Sequence, residues 1–368
     1  QRLRRARPRV IGVGGCMAQG RGGETLRICP GVDFAFGTAG IADLPHLIAR
    51  AERGERFACL PSPNGLERLP ALRRSPFQAY VTVAEGCSHS CAYCVVPQVR
   101  GPLRSRPMPE VIAELTDLAR QGYREATLLG QNVDAYGLDL GDGTSFAGLL
   151  RAASDVPIPR IRFTTSHPAY MTDEVIAAIA RGENICEHVH LAVQSGSDRV
   201  LAAMGRGYTR ARFLALVDRL RKTVPGVNIT TDVIVGFPGE TAADFAATLS
   251  LVAEAGFGTV YAAAYSPRPG TRAAELPDSV PPAEKARRLA AVLDASRRVA
   301  LSLHHPRIGT TAEVLVEALL PAKERLVGKT RDFRTVLFPG DPVMIGRFAM
   351  VEIEGATAGS LVGVTGER

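Results

Sequence analysis

Several features are scarce or missing in this chain, and each absence excludes something. No uncharged apolar run approaches the roughly 18 residues of a membrane-spanning helix, so a helical membrane protein is excluded. There is no internal repeat and no low-complexity tract. Hydrophobic residues at 46% and charged residues at 22% are ordinary globular values, which rules out disordered, collagen-like and coiled-coil chains. Lysine is almost absent: of 44 Lys+Arg, only Lys222, Lys285, Lys323 and Lys329 are lysine. The formal charge of +7 is therefore built from arginine, whose planar fork suits bidentate contact with phosphate. At this point a nucleic-acid partner and a codon preference for Arg explain the charge equally well. A disulfide framework is missing too. Seven cysteines is an odd number, and three of them lie between Cys87 and Cys94, which points to metal in a reducing cytoplasm. Finally, the chain starts without Met. Its Arg-rich opening, Gln1 to Arg9, lacks the Ser and the apolar stretch of a targeting peptide.

What is present organises into three parts. A length of 368 residues suggests two or three domains and a large core. The segment 1–72 reads as a small α/β unit, with a strand at Val10–Val13 ending in Gly14-Gly15-Cys16 and a helix at Leu44–Arg53. Leu60–Ser75, with three Pro and scattered Arg, reads as a linker. The segment 73–305 is regular. Apolar strands are predicted at Ala79–Ala84, Ala126–Leu129, Ile161–Thr165, Val189–Val193, Ile229–Val235 and Thr259–Ala264, with helical patterns between them. One helix carries Val111, Ile112, Leu115, Leu118 and Ala119, opened by Pro107 and Pro109 and stopped by Gly122. Another carries Phe245, Leu249 and Val252 behind Thr241 as N-cap. Six alternating units imply parallel βαβ crossovers. A partial (β/α) barrel and an open doubly wound sheet both fit, and both place chemistry at the C-terminal ends of the strands. After Pro306 the period changes. In 306–368 five short strands are expected, at Ala312–Leu320, Leu326–Thr330, Thr335–Phe338, Arg347–Glu354 and Ser360–Val364, which suggests a small OB-like barrel.

The strongest chemical signal is Cys87-Ser88-His89-Ser90-Cys91-Ala92-Tyr93-Cys94, just after the first strand of the central segment. Three thiolates this close can hold three irons of a 4Fe–4S cluster. No fourth Cys is near in sequence, so one iron stays open to a reactant. The competing reading is a structural zinc site with His89 as fourth ligand.

This pattern resembles the radical S-adenosylmethionine superfamily. Further segments resemble its methylthiotransferase family: Gly86-Cys87, Cys94-Val95-Val96-Pro97-Gln98-Val99-Arg100-Gly101, Gly130-Gln131-Asn132-Val133, Ser166-His167-Pro168 and Gln194-Ser195-Gly196-Ser197. So do Met204-Gly205-Arg206-Gly207-Tyr208-Thr209-Arg210, Gly236-Phe237-Pro238-Gly239-Glu240-Thr241 and Tyr265 to Arg272. The resemblance spans nearly the whole chain. Its best fit is the branch that makes 2-methylthio-isopentenyladenosine in tRNA. It implies a partial (β/α)6 radical-SAM barrel, preceded by an α/β methylthiotransferase domain and followed by a TRAM barrel. It also implies that S-adenosylmethionine binds the open iron and is cleaved by one electron to a 5′-deoxyadenosyl radical, with Tyr93 beside the adenine. Gly130, Gln131, Asn132, Gln194, Gly236, Pro238 and Gly239 are expected around that cofactor, since they fall at strand C-termini and supply amides or close backbone approach. His190 and Asp232 read equally well as satisfied polar groups inside the barrel, and neither is given a catalytic role.

The family carries a second 4Fe–4S cluster on three N-terminal cysteines. Val13-Gly14-Gly15-Cys16-Met17-Ala18-Gln19 matches the context of the third, so Cys16 is expected as a ligand. The other two would lie upstream of Gln1, with Cys29, Cys59 and Cys186 as bystanders. The chain is accordingly expected to be an N-terminal truncation that holds about four irons rather than eight and does not complete sulfur insertion alone. By resemblance, the substrate is the isopentenylated adenosine 3′ of the anticodon. Arg268, Arg272, Lys323, Arg325, Lys329, Arg331 and Arg334 are expected to meet RNA phosphates. A flavodoxin- or ferredoxin-like electron donor, a monomeric state and a cytoplasmic location complete the expectation. Two alternatives stand beside it. One is methylthiolation of threonylcarbamoyl-adenosine tRNA or of a ribosomal protein. The other is a non-enzymatic RNA-binding protein with a structural metal.

Overall fold

A computed structural model describes residues 9–62, 71–321 and 324–365. The Arg-rich opening up to residue 8, the middle of the expected linker and Lys323 lie outside the described residues. At the N-terminal end, strands Gly12–Gly14, Phe34–Phe36 and Phe57–Cys59 pair in parallel and in sequence order. Helix Leu44–Glu52 covers them with Leu47 and Ala51, which pack against Phe34.

The central strands are Gln78–Thr82, Glu125–Leu129, Arg160–Phe163, His188–His190, Asn228–Val235 and Thr259–Ala264. The first three pair in parallel in that order, and so do the last three. Isolated parallel bridges Ile161–Ile185 and Ser166–Leu191 join the halves. The order never reverses, so there is no topological switch point and the doubly wound alternative is excluded. The sheet is a partial six-stranded barrel. The helices form as their sequences dictate. Met108–Arg120 buries Val111, Leu115 and Leu118 on one face. Ala242–Ala255 opens with Thr241 and Asp244 in a reciprocal capping box. Three predicted strands run too far: the first ends at Thr82, not Ala84, the third at Phe163, not Thr165, and the fourth, with the largest overrun, at His190, not Val193. Beyond His190, Thr231 Oγ1 accepts the Val193 N–H at 3.0 Å and Gln194 turns left-handed at φ 72°, so the chain bends out of the ladder.

Strands Thr311–Leu320, Arg325–Thr330, Thr335–Phe338, Phe348–Ala356 and Leu361–Thr365 close into a five-stranded barrel around Val314, Val316, Leu326, Val336, Phe338, Val351 and Ile353. This barrel docks on the N-terminal ends of the central strands. Gln78, Arg160 and Asn228 each open a strand and reach into it. Gln78 Nε2 donates to Glu317 at 2.9 Å, Arg160 to the Lys329 carbonyl at 2.8 Å and Asn228 Nδ2 to the Asp332 carbonyl at 2.8 Å. The ring of Phe333 stacks on His188, centroids 4.6 Å apart. Among the described residues, no helix is long and apolar enough to cross a membrane.

Candidate functional site

The three clustered cysteines lie at the opposite, C-terminal end of the strands. After the first strand, Ala84–Glu85 pairs antiparallel with Arg104–Ser105, pinching the base of the intervening loop. Gly86 makes the turn at φ 73°, where an added Cβ would meet the Pro102 carbonyl oxygen at 2.0 Å. The loop is then pinned from several sides. Gly86 N–H is donated to Gln131 Oε1, Cys87 N–H to the Gly101 carbonyl at 3.1 Å and Leu103 N–H to Ser88 Oγ at 3.1 Å. Ala92 N–H goes to the Met204 carbonyl at 2.8 Å, and the Ala92 carbonyl accepts from Ala273 at 2.8 Å. Arg272 clamps the outside by donating to the Ser90 carbonyl. All three cysteines are free and half-buried. Burial pushes the Cys87 and Cys94 thiols up. Tyr93 packs into a small apolar cluster with Ala92, Phe237 and Tyr265.

The residues expected around the cofactor take the following positions. Gln131 is spent on Gly86 and holds the cysteine loop. Asn132 is buried with its Oδ1 unpartnered, and it lines a cavity of about 170 Å³ with Cys87, His89 and Tyr170. At Gly130 an added Cβ would meet Val133 Cα at 3.3 Å and the Ala84 carbonyl oxygen at 3.5 Å. Gln194 is buried and left-handed, bridged to Val233 through backbone bonds to Asp232 and Ile234. In the Gly236–Gly239 turn both glycine N–H groups are occupied within the chain. Gly236 N–H is taken by Glu240 Oε2 at 2.6 Å and Gly239 N–H by Ser279 Oγ at 2.9 Å, while Pro238 is buried. Glu240 is in turn paired with Arg288 at 2.6 Å. The turn braces the floor under Tyr93 through Phe237.

Two residues had no role in the sequence reading. Arg206 donates to Cys91 Sγ at 3.3 Å. His167, after the third strand, stacks edge-on against His89 with centroids 4.1 Å apart, and donor atoms of His89, Cys91 and His167 lie within 4.8 Å of one another. Burial drives His167 down to about 2, so it is neutral. Both residues stand in quoted motifs, and only long-range folding shows what they face.

A family model described as the Radical SAM superfamily matches residues 81–252, and one described as the TRAM domain matches residues 307–364. The tRNA-2-methylthio-N(6)-dimethylallyladenosine synthase of Moorella thermoacetica is 43% identical, over 99% of this chain and 84% of its own length. The synthase of Syntrophomonas wolfei is 44% identical over 98% of this chain and 82% of its own. The chain belongs to this synthase family. Among solved structures, the radical S-adenosylmethionine methyltransferase TsrM from Kitasatospora setae matches at TM-score 0.55 and 16% identity, over 72% of this chain and 57% of that one. That likeness shows the barrel fold alone.

Members of the synthase family are radical-SAM transferases, so S-adenosylmethionine and 4Fe–4S clusters belong to the chemistry. The donor set fits such a cluster. Three free thiols stand on one braced loop, one of them facing a buried guanidinium, a positive charge suited to an anionic metal–thiolate group. Cys16 opens helix Cys16–Arg21 and accepts from Arg100 Nε at 3.2 Å. Arg100 ends the short helix Val96–Arg100, which starts just after Cys94. Cys29 and Cys59 are half-buried elsewhere in the N-terminal unit, and Cys186 is buried. His190 and Asp232 bond each other at 3.1 Å in the barrel lumen.

The basic residues expected to meet RNA divide sharply. Arg331 pairs with Glu187 at 2.8 Å and donates to the Glu183 and Ile185 carbonyls. Arg334 is buried against Asp332 at 2.9 Å. Lys329 donates to Thr335 Oγ1 at 2.7 Å and lines a cavity of about 490 Å³ between the two barrels. All three have partners at the seam between the two barrels. Arg268 and Arg272 are exposed near the cysteine loop, and Arg325 is half-buried.

Proposed function

We propose that the reaction this chain takes part in is addition of a methylthio group to carbon 2 of N6-dimethylallyladenosine (isopentenyladenosine) in tRNA, with the radical step at its Cys87–Cys94 loop. The observation that carries the reading is the braced Cys87–Cys94 loop at the C-terminal end of a partial barrel, in a chain 43% identical to a synthase of that name. In this reading Cys87, Cys91 and Cys94 hold a 4Fe–4S cluster with S-adenosylmethionine on its open iron. That group supplies one electron for cleavage of the sulfonium. The chain's own residues set the stage. Gln131 and Ser88 orient the cysteine loop, Tyr93 over Phe237 offers a face for the adenine, and Asn132 Oδ1 offers an acceptor beside Cys87. Cys16 is proposed as one ligand of the second cluster, because Arg100 ties it to the helix that follows Cys94. The division at residues 72 and 305 belongs to the same reading. tRNA is the partner, met at the active-site mouth by Arg268 and Arg272 and from the C-terminal barrel by Arg325. A low-potential protein is the electron donor.

The gene is expressed in a strain lacking its own synthase, and the tRNA nucleosides are analysed by mass spectrometry. The methylthio group is expected on dimethylallyladenosine. Its appearance on threonylcarbamoyl-adenosine instead would overturn the substrate. Absence of 5′-deoxyadenosine from the reduced, iron-reconstituted protein would overturn the radical chemistry.

A further inference from the structure

The described chain buries five arginines: Arg160, Arg162, Arg206, Arg288 and Arg334. Four have a carboxylate partner. Arg160 pairs with Glu313 at 2.8 Å, Arg162 with Glu125 at 2.7 Å, Arg288 with Glu240 at 2.6 Å and Arg334 with Asp332 at 2.9 Å. Arg206 is the exception. It is 3% exposed, on the turn between helices Asp198–Met204 and Arg210–Thr223. Its Nη1 donates to Cys91 Sγ at 3.3 Å, its Nη2 to the Ala192 carbonyl at 2.5 Å and its Nε to Tyr208 Oη at 3.0 Å. None of these partners is a carboxylate. Asp134, whose field reaches it, directs both oxygens to the His167 N–H at 3.0 and 3.1 Å. A guanidinium taken out of water without a counter-charge costs several kcal/mol. The fold holds one there, aimed at a cysteine.

We propose that Arg206 is a positioning residue that supplies the counter-charge of the metal–thiolate centre and makes it easier to reduce. The inference rests on the cluster assignment above. A hydrogen bond and a positive charge at a cluster thiolate favour the form carrying one more electron, which raises the reduction potential. The Nη2 and Nε bonds lock the fork, so Nη1 can point only at Cys91. Lysine would keep the charge without that fork.

The test uses full-length R206M and R206K, reconstituted anaerobically beside wild type. Iron content, circular dichroism and an electron-paramagnetic-resonance redox titration without S-adenosylmethionine are measured. R206M is expected to load iron and titrate at a more negative midpoint than wild type, with R206K between them. A loaded R206M at the wild-type midpoint would overturn the role. If R206M folds but takes up no iron, R206K decides: a lowered midpoint supports the proposal, and a wild-type midpoint overturns it. Wild type that loads no cluster would instead overturn the cluster assignment beneath it, a result distinguishable from the others.

Discussion

Asp134 is 5% exposed, and burial pushes its carboxyl from 3.8 up to about 8. The His167 N–H it accepts offsets that only in part. The folded state therefore keeps a proton that the unfolded chain releases near pH 4. This contribution is fully present below that pH and is lost as pH rises toward 8. Asp134→Asn retains an acceptor for His167 and removes the titration. In cluster-free protein, the variant is expected to gain stability relative to wild type as pH rises from about 4 to about 8, read by urea unfolding across that range. A constant difference would mean that the carboxyl is ionised throughout. Legibility at this scale follows sequence distance. The spacing of Cys87, Cys91 and Cys94 is local, so their chemistry could be read directly. Arg206 was visible only as part of a motif, because its partner Cys91 lies 115 residues away.

At the scale of elements, the cysteine loop depends on a two-residue ladder and one glycine. Gly86→Ala forces a Cβ onto the Pro102 carbonyl in a left-handed turn. It should cost roughly 1–3 kcal/mol and lower iron uptake on reconstitution. Gly122→Ala is the control. Its φ is 83°, but nothing lies within 4 Å of the new Cβ, so it should lose stability with full iron content. Equal iron loss in both variants would mean that the turn at Gly86 has no special hold on the loop. Elements with a clean period, such as Met108–Arg120 and the five C-terminal strands, could be read to within a residue or two. The fourth central strand could not. Its apolar run continues to Val193, while the Thr231 side chain and the left-handed Gln194 end the ladder earlier. The Gly236–Gly239 turn carried the same ambiguity. Glycines in a turn after a strand signal close approach, but here what approaches is the Lys285 side chain, whose Cγ lies 2.5 Å from where a Gly236 Cβ would sit.

For the whole molecule, the decisive contact is the seam between the two barrels. Arg162 pairs with Glu125 and donates to the Arg331 and Thr330 carbonyls, so one buried fork ties the sheet to the C-terminal barrel. Arg162→Ala leaves Glu125 buried and unpaired, which should cost about 3–5 kcal/mol. Calorimetry of wild type is expected to show the two barrels melting together. The variant should melt earlier, with the C-terminal barrel as a separate transition. A single transition at the wild-type temperature would mean that the seam carries no stability.

By itself the sequence determined the alternation of six strands with helices, the change of period after Pro306, the three-thiol loop and the family. Each rests on spacing along the chain, where side-chain period and motif are local quantities. Tertiary structure decided the rest. It chose the partial barrel over the doubly wound sheet, since strand order is a matter of pairing and both orders share one hydrophobic pattern. It also divided the arginines. A basic side chain reads the same whether it awaits phosphate, seals a seam as Arg331 does, or faces a thiol as Arg206 does. Only folding supplies the partner, because burial and counter-charge come from residues far away in sequence.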